Sequence, residues 1–350
     1  MAEPWLLYGA YGYTGRLIAE LAVAEGLKPV IAGRDRERTE AMALEFGLPH
    51  RVFDLDDTGG LRHGLEGMRA VLHCAGPFSA TAAPMIAACL QTGAHYLDIT
   101  GEIDVFAYAH SCDAAARKRG IVLVPGVGFD VVPTDCLAAL LKQGLPDAVE
   151  LTLAFEAEGG PSRGTALTSV EGLGKGGRIR RNGQLENVPL AYKTRSIPFP
   201  KGKRSAVTIP WGDVYTAFIS TGIPNVEVYM ALPPGTIAGM RRLRWLGPAL
   251  GLAPIQWLLK RRVRASVSGP DEQRRKDSKT YVYGEVRNAS GTSLSGTLVT
   301  PNGYALTAEA ALRIVRHLAA AGSRHAGYYT PSLLMGADFI RSLQGVEVRV

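Results

Sequence analysis

The chain has 350 residues, 46% of them hydrophobic and 20% charged, the make-up of an ordinary water-soluble globular protein. That excludes a disordered or collagen-like chain, and the length favours two domains over one. The net charge of +7 is concentrated: Arg241–Arg264 holds seven basic residues and no acidic one, and Gly172–Arg204 holds nine Lys/Arg against Glu186 alone. No nucleic-acid motif accompanies either segment, so an anionic surface or an anionic substrate tail is expected and nucleic acid is not.

The start of the chain lacks a basic n-region and its first apolar run is only strand-length, so no signal peptide is expected there. Cys74, Cys89, Cys112 and Cys136 lie in apolar contexts without a Cys-x-x-Cys pair or zinc-ligand spacing. They read as reduced thiols, with no metal site, in a cytoplasmic protein.

Along the first 125 residues, strand-length apolar runs fall at Trp5–Tyr8, Pro29–Ala32, Arg51–Phe53, Ala70–Cys74, Tyr96–Ile99 and Ile121–Val124. Helical patterns lie between them at Gly15–Glu25, Arg36–Phe46, Pro84–Gln91 and Asp104–Arg119, with stops at Gly26, Gly47, Gly93 and Gly120. This alternation predicts a parallel sheet covered on both faces. After Pro125 the beat changes. Strands are expected at Glu150–Glu156, Val207–Ile209, Tyr215–Ser220 and Val226–Met230, and a hairpin of Lys279–Asn288 with Thr292–Thr300. Thr307–Ala320 reads as an amphipathic helix with Thr307 as N-cap and Gly322 as stop. The fold class is therefore α/β: a Rossmann-type doubly wound parallel sheet plus a second α+β domain with a mixed or antiparallel sheet.

Gly9-Ala10-Tyr11-Gly12-Tyr13-Thr14-Gly15 stands between the first strand and the first helix. Such a turn is an anion site, because helix N-terminal N–H groups and the helix dipole both favour negative charge. Gly9 permits the tight turn, Gly12 clears the approach of a pyrophosphate, and Gly15 lets helix and strand pack. Ala10, Tyr13 and Thr14 complete the cradle. The second strand ends in Gly33-Arg34-Asp35-Arg36. Arg34 suits a ribose 2′-phosphate, which points to NADP(H); Asp35 is the competing signal for NAD, and Arg34 and Arg36 also read as a solvated helix start. Asp54 and Leu55 are placed for the adenine, and Ala75, Gly76 and Pro77 for the cofactor's second ribose.

Two polar clusters follow the fifth and sixth strands. Asp98 and Glu102 lie in one and Asp130 in the other, as proton donors or substrate anchors or, equally, as groups that cap helices and pin loop backbone. Asp135 reads as a helix-start acid and His73 as a structural histidine, while His95 and His110 have no evident partner. No Tyr has a Lys four residues later, so the Tyr–Lys pair of short-chain dehydrogenases is missing. Ser162–Ala166 and Ser220–Gly222 are small polar stretches fit to line a cleft, with Arg163 able to hold an anion. Arg241–Arg264 encloses a mostly apolar stretch too short and too rich in Gly and Pro to span a bilayer. It fits a lid over a lipid-like substrate, a subunit interface or a peripheral membrane contact.

GAYGYTGR, AGRDRER, HCAGPF, YLDITGE and PGVGFDVVPTD, followed by STGIPNVEVYMALPP, PNGYALTAEAAL and YYTPSLLMGADF, resemble the saccharopine dehydrogenase-like NADP-binding proteins. They are similar in particular to the bacterial branch called trans-acting enoyl reductases. The resemblance implies an NADP(H)-dependent oxidoreductase, with a Rossmann domain over 1–130, completed by 325–350, and a substrate and dimerisation domain over 131–324. It leaves the substrate open between an unsaturated or carbonyl-bearing, lipid-like compound, a saccharopine-type amino acid, and a non-catalytic sensor or scaffold. A homodimer is expected.

Overall fold

The computed structural model describes residues 3–320 and 325–350. β1 (Trp5–Tyr8) is buried along its whole length. α1 (Tyr13–Ala24) buries Gly15, Ile18, Ala19 and Ala22, one helical stripe against the sheet. β2 (Val30–Gly33), α2 (Arg36–Phe46) and β3 (His50–Val52) follow. Next come α3 (Thr58–Leu65), β4 (Ala70–His73), α4 (Phe78–Thr92) and β5 (His95–Asp98). The run closes with α5 (Ile103–Ser111), α6 (Asp113–Arg119) and β6 (Val122–Val124). Helix stops at Gly47, Gly93 and Gly120 are left-handed, as the sequence predicts.

Three local differences from expectation have physical causes. α3 was not expected, because Gly59, Gly60 and Gly64 depress helix propensity; Asp57 starts it by accepting hydrogen bonds from the Gly59 and Gly60 amides. Gly64 is there because a Cβ would lie 2.5 Å from the Phe53 ring. α4 begins at Phe78 rather than Pro84, which sits inside the helix. The expected helix Asp104–Arg119 is two, broken at Cys112.

The chain then builds a second set of elements. α7 (Val132–Gly144), β7 (Ala148–Ala157) and α8 (Arg163–Gly172) lead to a 3-10 turn at Leu173–Lys175. β8 (Gly177–Arg181), β9 (Gln184–Val188), β10 (Thr194–Phe199), β11 (Gly202–Thr208), α9 (Asp213–Thr221) and β12 (Asn225–Ala231) follow. α10 (Pro234–Leu243), a 3-10 turn at Arg244–Leu246, α11 (Gly247–Leu250), α12 (Ala253–Ser266) and α13 (Glu272–Asp277) precede the hairpin β13 (Lys279–Asn288) and β14 (Ser293–Pro301). Last come α14 (Gly303–Ala319), β15 (Gly327–Tyr328), α15 (Pro331–Met335), α16 (Phe339–Ser342) and β16 (Glu347–Arg349).

Tyr215–Ser220, expected as a strand, lies in α9. Its buried residues Asp213, Val214, Thr216, Ala217 and Thr221 have helical spacing, although its β-branched and aromatic content suggested strand. Thr307 is inside α14 rather than at its cap, and its Oγ1 accepts a hydrogen bond from the Phe129 amide. Gly322 lies outside the described residues.

The chain divides into two compact units, one of 1–132 with 304–336 and one of 133–303 with 337–350. The first holds a parallel seven-stranded sheet in the order β15-β6-β5-β4-β1-β2-β3. The second holds a nine-stranded sheet in the order β10-β11-β12-β7-β13-β14-β16, with the β8–β9 hairpin joined through β12. Only its β12–β7 pair is parallel among the ladders, so the sheet is mixed. α7 packs on one face, where a Cβ on Gly284 would lie 2.7 Å from Leu141. Tyr281, Tyr283, Tyr229, Ile197 and Phe199 form a core on this sheet.

The expectation that 325–350 completes the first unit is corrected. α14 and β15 complete it, and 337–350 belongs to the second because β16 pairs with β14 and Ile340 is fully buried there.

Candidate functional site

β1 lies between β2 and β4, where the strand order reverses, and ligands of such sheets bind beyond the strand C-termini at that point. Gly9 has φ +78°, and a Cβ there would stand 2.8 Å from the Ala75 amide nitrogen, so the first turn rests directly on the loop after β4. A Cβ on Gly15 would lie 2.4 Å from the Gly9 carbonyl oxygen and 2.9 Å from Ala10 Cα. Ala10 is fully buried. Gly12 is the N-cap of α1 and a Cβ there would meet only the Gly9 oxygen, at 3.1 Å. No side chain caps this helix end and its first turn holds no acid. The end is therefore a cradle kept clear of side chains, with the partial positive charge of a helix N-terminus, and it fits a pyrophosphate. Tyr13 packs edge-on against Tyr304 of the same unit, with ring centroids 5.0 Å apart, and Thr14 follows it, half-buried.

At the end of β2, Arg34 is exposed and enters no hydrogen bond or ion pair with the described residues. The Asp35 carboxylate caps α2, accepting from the Arg38 amide at 3.1 Å. Arg36 pairs with Glu40 at 2.9 Å on the helix surface. Arg38, which the sequence reading passed over, places its guanidinium 4.4 Å from the centre of the Tyr11 ring and donates to the Tyr11 carbonyl at 3.3 Å. Tyr11 in turn lies across Gly33, where a Cβ would come 2.3 Å from its ring. The missed signal was the aromatic residue inside the glycine turn, with an arginine one helical turn beyond Arg34.

Asp54 is exposed after β3, and its Oδ1 accepts from the Asp56 amide at 3.1 Å; Leu55 beside it is buried. Ala75 is half-buried, while Gly76 and Pro77 are exposed and joined by a cis peptide bond. His73 is fully buried, and its Nε2 lies 2.9 Å from Thr81 Oγ1, which donates to the Ala75 carbonyl at 2.7 Å. Burial drives the His73 pKa down to about 3, so it stays neutral and shapes the loop. His95 has a partner after all: its Nδ1 accepts from the Val122 amide at 2.9 Å, which ties β5 to β6.

The three acids named from the sequence share this end of the sheet. Asp98 is fully buried; it accepts from the Tyr96 hydroxyl at 2.6 Å and from the Thr100 and Gly126 amides, each at 2.9 Å. Burial outweighs these bonds and holds its pKa up at about 6. Both Glu102 carboxylate oxygens accept from the first amides of α4, those of Phe78 and Ser79, at 2.9 Å. Glu102 thus clasps the β5 loop to the β4 loop and puts negative charge on a helix N-terminus. Asp130 is half-buried after β6, and Gly101 leaves it room, since a Cβ there would lie 2.8 Å from Asp130 Oδ2. Burial, then the Glu102 charge, push the Asp130 pKa up to about 7.

The second unit's small polar stretches are engaged locally. Ser162 caps α8, Arg163 donates to the Val267 carbonyl at 3.1 Å, and Ser220 donates to carbonyls within α9. Asp135 is fully buried in the first turn of α7. Among the described residues no three His, Cys, Asp or Glu side chains gather as a metal site.

A parallel sheet with a glycine cradle at its switch point defines a Rossmann-type dinucleotide-binding unit. Residues 5–124 match the family model of the saccharopine dehydrogenase NADP binding domain. The chain is 27% identical to the saccharopine dehydrogenase-like oxidoreductase of Homo sapiens, over 55% of this chain and 56% of the relative. It is 35% identical to the trans-acting enoyl reductase of Mycobacterium leprae, over 37% of this chain and 33% of the relative. The chain spans about half or less of the length of these curated relatives. Saccharopine dehydrogenase (L-Glu forming) from Saccharomyces cerevisiae shares the fold, with a TM-score of 0.66 over 99% of this chain and all of that one, at 11% identity.

Proposed function

We propose that the protein is an NADP(H)-dependent oxidoreductase that moves hydride between the nicotinamide and an unsaturated or carbonyl-bearing, lipid-like substrate. The observation that carries the cofactor half is the uncapped, side-chain-free N-terminus of α1 together with the unengaged Arg34 at the end of β2. The names of the human and mycobacterial relatives support the reaction class.

In this reading Gly9, Ala10, Gly12, Tyr13, Thr14 and Gly15 receive the pyrophosphate. Arg34 takes the 2′-phosphate, with Arg38 beside it. Asp54 and Leu55 border the adenine, and Ala75, Gly76 and Pro77 the second ribose. The bound cofactor supplies or accepts the hydride. Asp130, protonated near neutral pH, delivers the proton that must accompany it. Asp98 and Glu102 act as positioning residues: their carboxylates are occupied by backbone amides and hold the β4, β5 and β6 loops in register.

The test is Arg34→Ala with NADPH and NADH titrated separately. Loss of a charge-assisted bond predicts NADPH binding about 10–100-fold weaker, with NADH binding nearly unchanged. Equal loss for both nucleotides would remove the 2′-phosphate role.

A further inference from the structure

Five of the ten exposed large hydrophobic side chains of the described residues fall in one short stretch of the second unit. They are Leu243 (39% exposed), Trp245 (79%), Leu252 (56%), Trp257 (58%) and Leu258 (47%). α12, which carries the last two, has no buried residue. Its inner side is mixed: Ile255, Leu259 and Val263 are half-buried there beside Gln256 and Lys260, while Trp257 and Leu258 remain exposed. The polar Gln256 faces inward and donates to the Val170 and Leu250 carbonyls at 2.9 and 2.7 Å, and Lys260 pairs with Glu171 of α8 at 2.6 Å. The neighbouring backbone approaches closely as well: a Cβ on Gly174 would lie 2.7 Å from Gly251 Cα. Polar and half-buried apolar groups together dock this helix onto α8, and two large apolar side chains, Trp257 and Leu258, are left on its outer side.

The charged residues within this stretch are all basic. Arg241, Arg242, Arg244, Arg261, Arg262 and Arg264 are exposed, and none is ion-paired among the described residues. Arg244 and Arg261 each lie 5.3 Å from the ring centres of Trp245 and Trp257. A helix that shows Trp and Leu beside arginine suits the plane of a lipid headgroup layer, with rings at the interface and guanidinium groups on phosphates. No helix of the described residues is long and apolar enough to cross a membrane, which leaves contact in the plane of the surface. A second copy of the same face is disfavoured because like charges would meet. Nucleic acid is disfavoured because bases stack on aromatic planes, and three of the five exposed side chains are aliphatic.

We infer that residues 243–264 form a docking surface for an anionic lipid bilayer. This reading is independent of the cofactor site, which lies in the other unit.

The experiment is co-sedimentation of the whole protein with vesicles of phosphatidylcholine, pure or mixed with phosphatidylglycerol, while tryptophan fluorescence is followed. Binding to the mixed vesicles with a blue shift, weakened as salt rises, is the expected result. Replacing Arg261 and Arg262 by Gln should weaken partition by about fivefold per charge. Trp257→Ala should weaken it by about tenfold or more. These side chains are exposed, so melting temperature and circular dichroism should not change. No sedimentation with anionic vesicles at low salt would overturn the proposal. So would partition indifferent to both sets of substitutions, or displacement of the vesicles by a single-stranded oligonucleotide. Self-association that hides the two tryptophans would do the same.

Discussion

At the scale of single residues, the first unit spends stability to keep Asp130 protonated. Its pKa stands at about 7 when folded, against the usual carboxylate value when unfolded. Between about pH 4 and pH 7 the folded chain holds a proton that the unfolded chain has released, so this group costs stability as pH rises through that window. Asp130→Asn should therefore melt higher than the parent at pH 8, with the gap closing towards pH 4, and turnover should fall about a hundredfold or more. His73 and His95 act in the opposite sense. Burial lowers them to about 3 and about 4, so their neutral forms favour folding above the usual histidine pKa, and that support is lost as pH falls below about 6.5. Replacing His95 by Gln should flatten the acid limb of a melting-temperature profile while weakening the tie between β5 and β6. The glycine spacing, Arg34 and the three acids could all be read in the sequence, because each is a residue type with one strong chemical habit. Arg38 over Tyr11 could not, since a cation–π stack leaves no periodic trace and depends on where the turn throws the ring.

At the scale of elements, the two later glycines of the cradle should part company under substitution. Gly15→Ala sets a methyl group 2.4 Å from backbone oxygen, which cannot step aside, and should cost about 1–3 kcal/mol or more of stability. Gly12→Ala meets one oxygen at 3.1 Å; under the proposed function it should melt near the parent yet bind NADPH far more weakly, its methyl group intruding on the phosphate cradle. Calorimetry beside cofactor titration separates the two. Strands and helices of the first unit were legible because buried strands are short, uniformly apolar and punctuated by glycine. α3 and α9 were not. One is carried by a cap rather than by propensity, and the other has the composition of a strand but the burial period of a helix. The helices α10 and α12 were not legible either, because between them only Ile237 is buried and their apolar stripes are interrupted by Gly, Pro and Arg.

At the scale of the whole molecule, neither unit is a continuous piece of chain. A fragment ending at Val132 lacks α14, whose buried face includes Leu312, Ile314 and Val315, and lacks the strand beside β6. It should fail to bind NADPH, whereas the same fragment joined by a flexible linker to 304–336 should recover binding. Removing 337–350 should instead lower the melting of the second unit, because β16 and the buried Phe339 and Ile340 go with it. Two domains and their fold classes were legible from the change of beat after Pro125. The return points were not, because β16 is a three-residue edge strand recognisable only by its partner β14.

The place of β15 has a consequence for how the protein is made. Its partner β6 leaves the ribosome roughly two hundred residues earlier. At ~5–20 residues per second the nascent sheet waits about 10–40 s with that edge unpaired. During this interval the bare edge is a template for neighbouring nascent chains. Yield in a cell should therefore track the supply of chaperones that shield unfinished sheets, and should fall when translation is slowed within the intervening second unit.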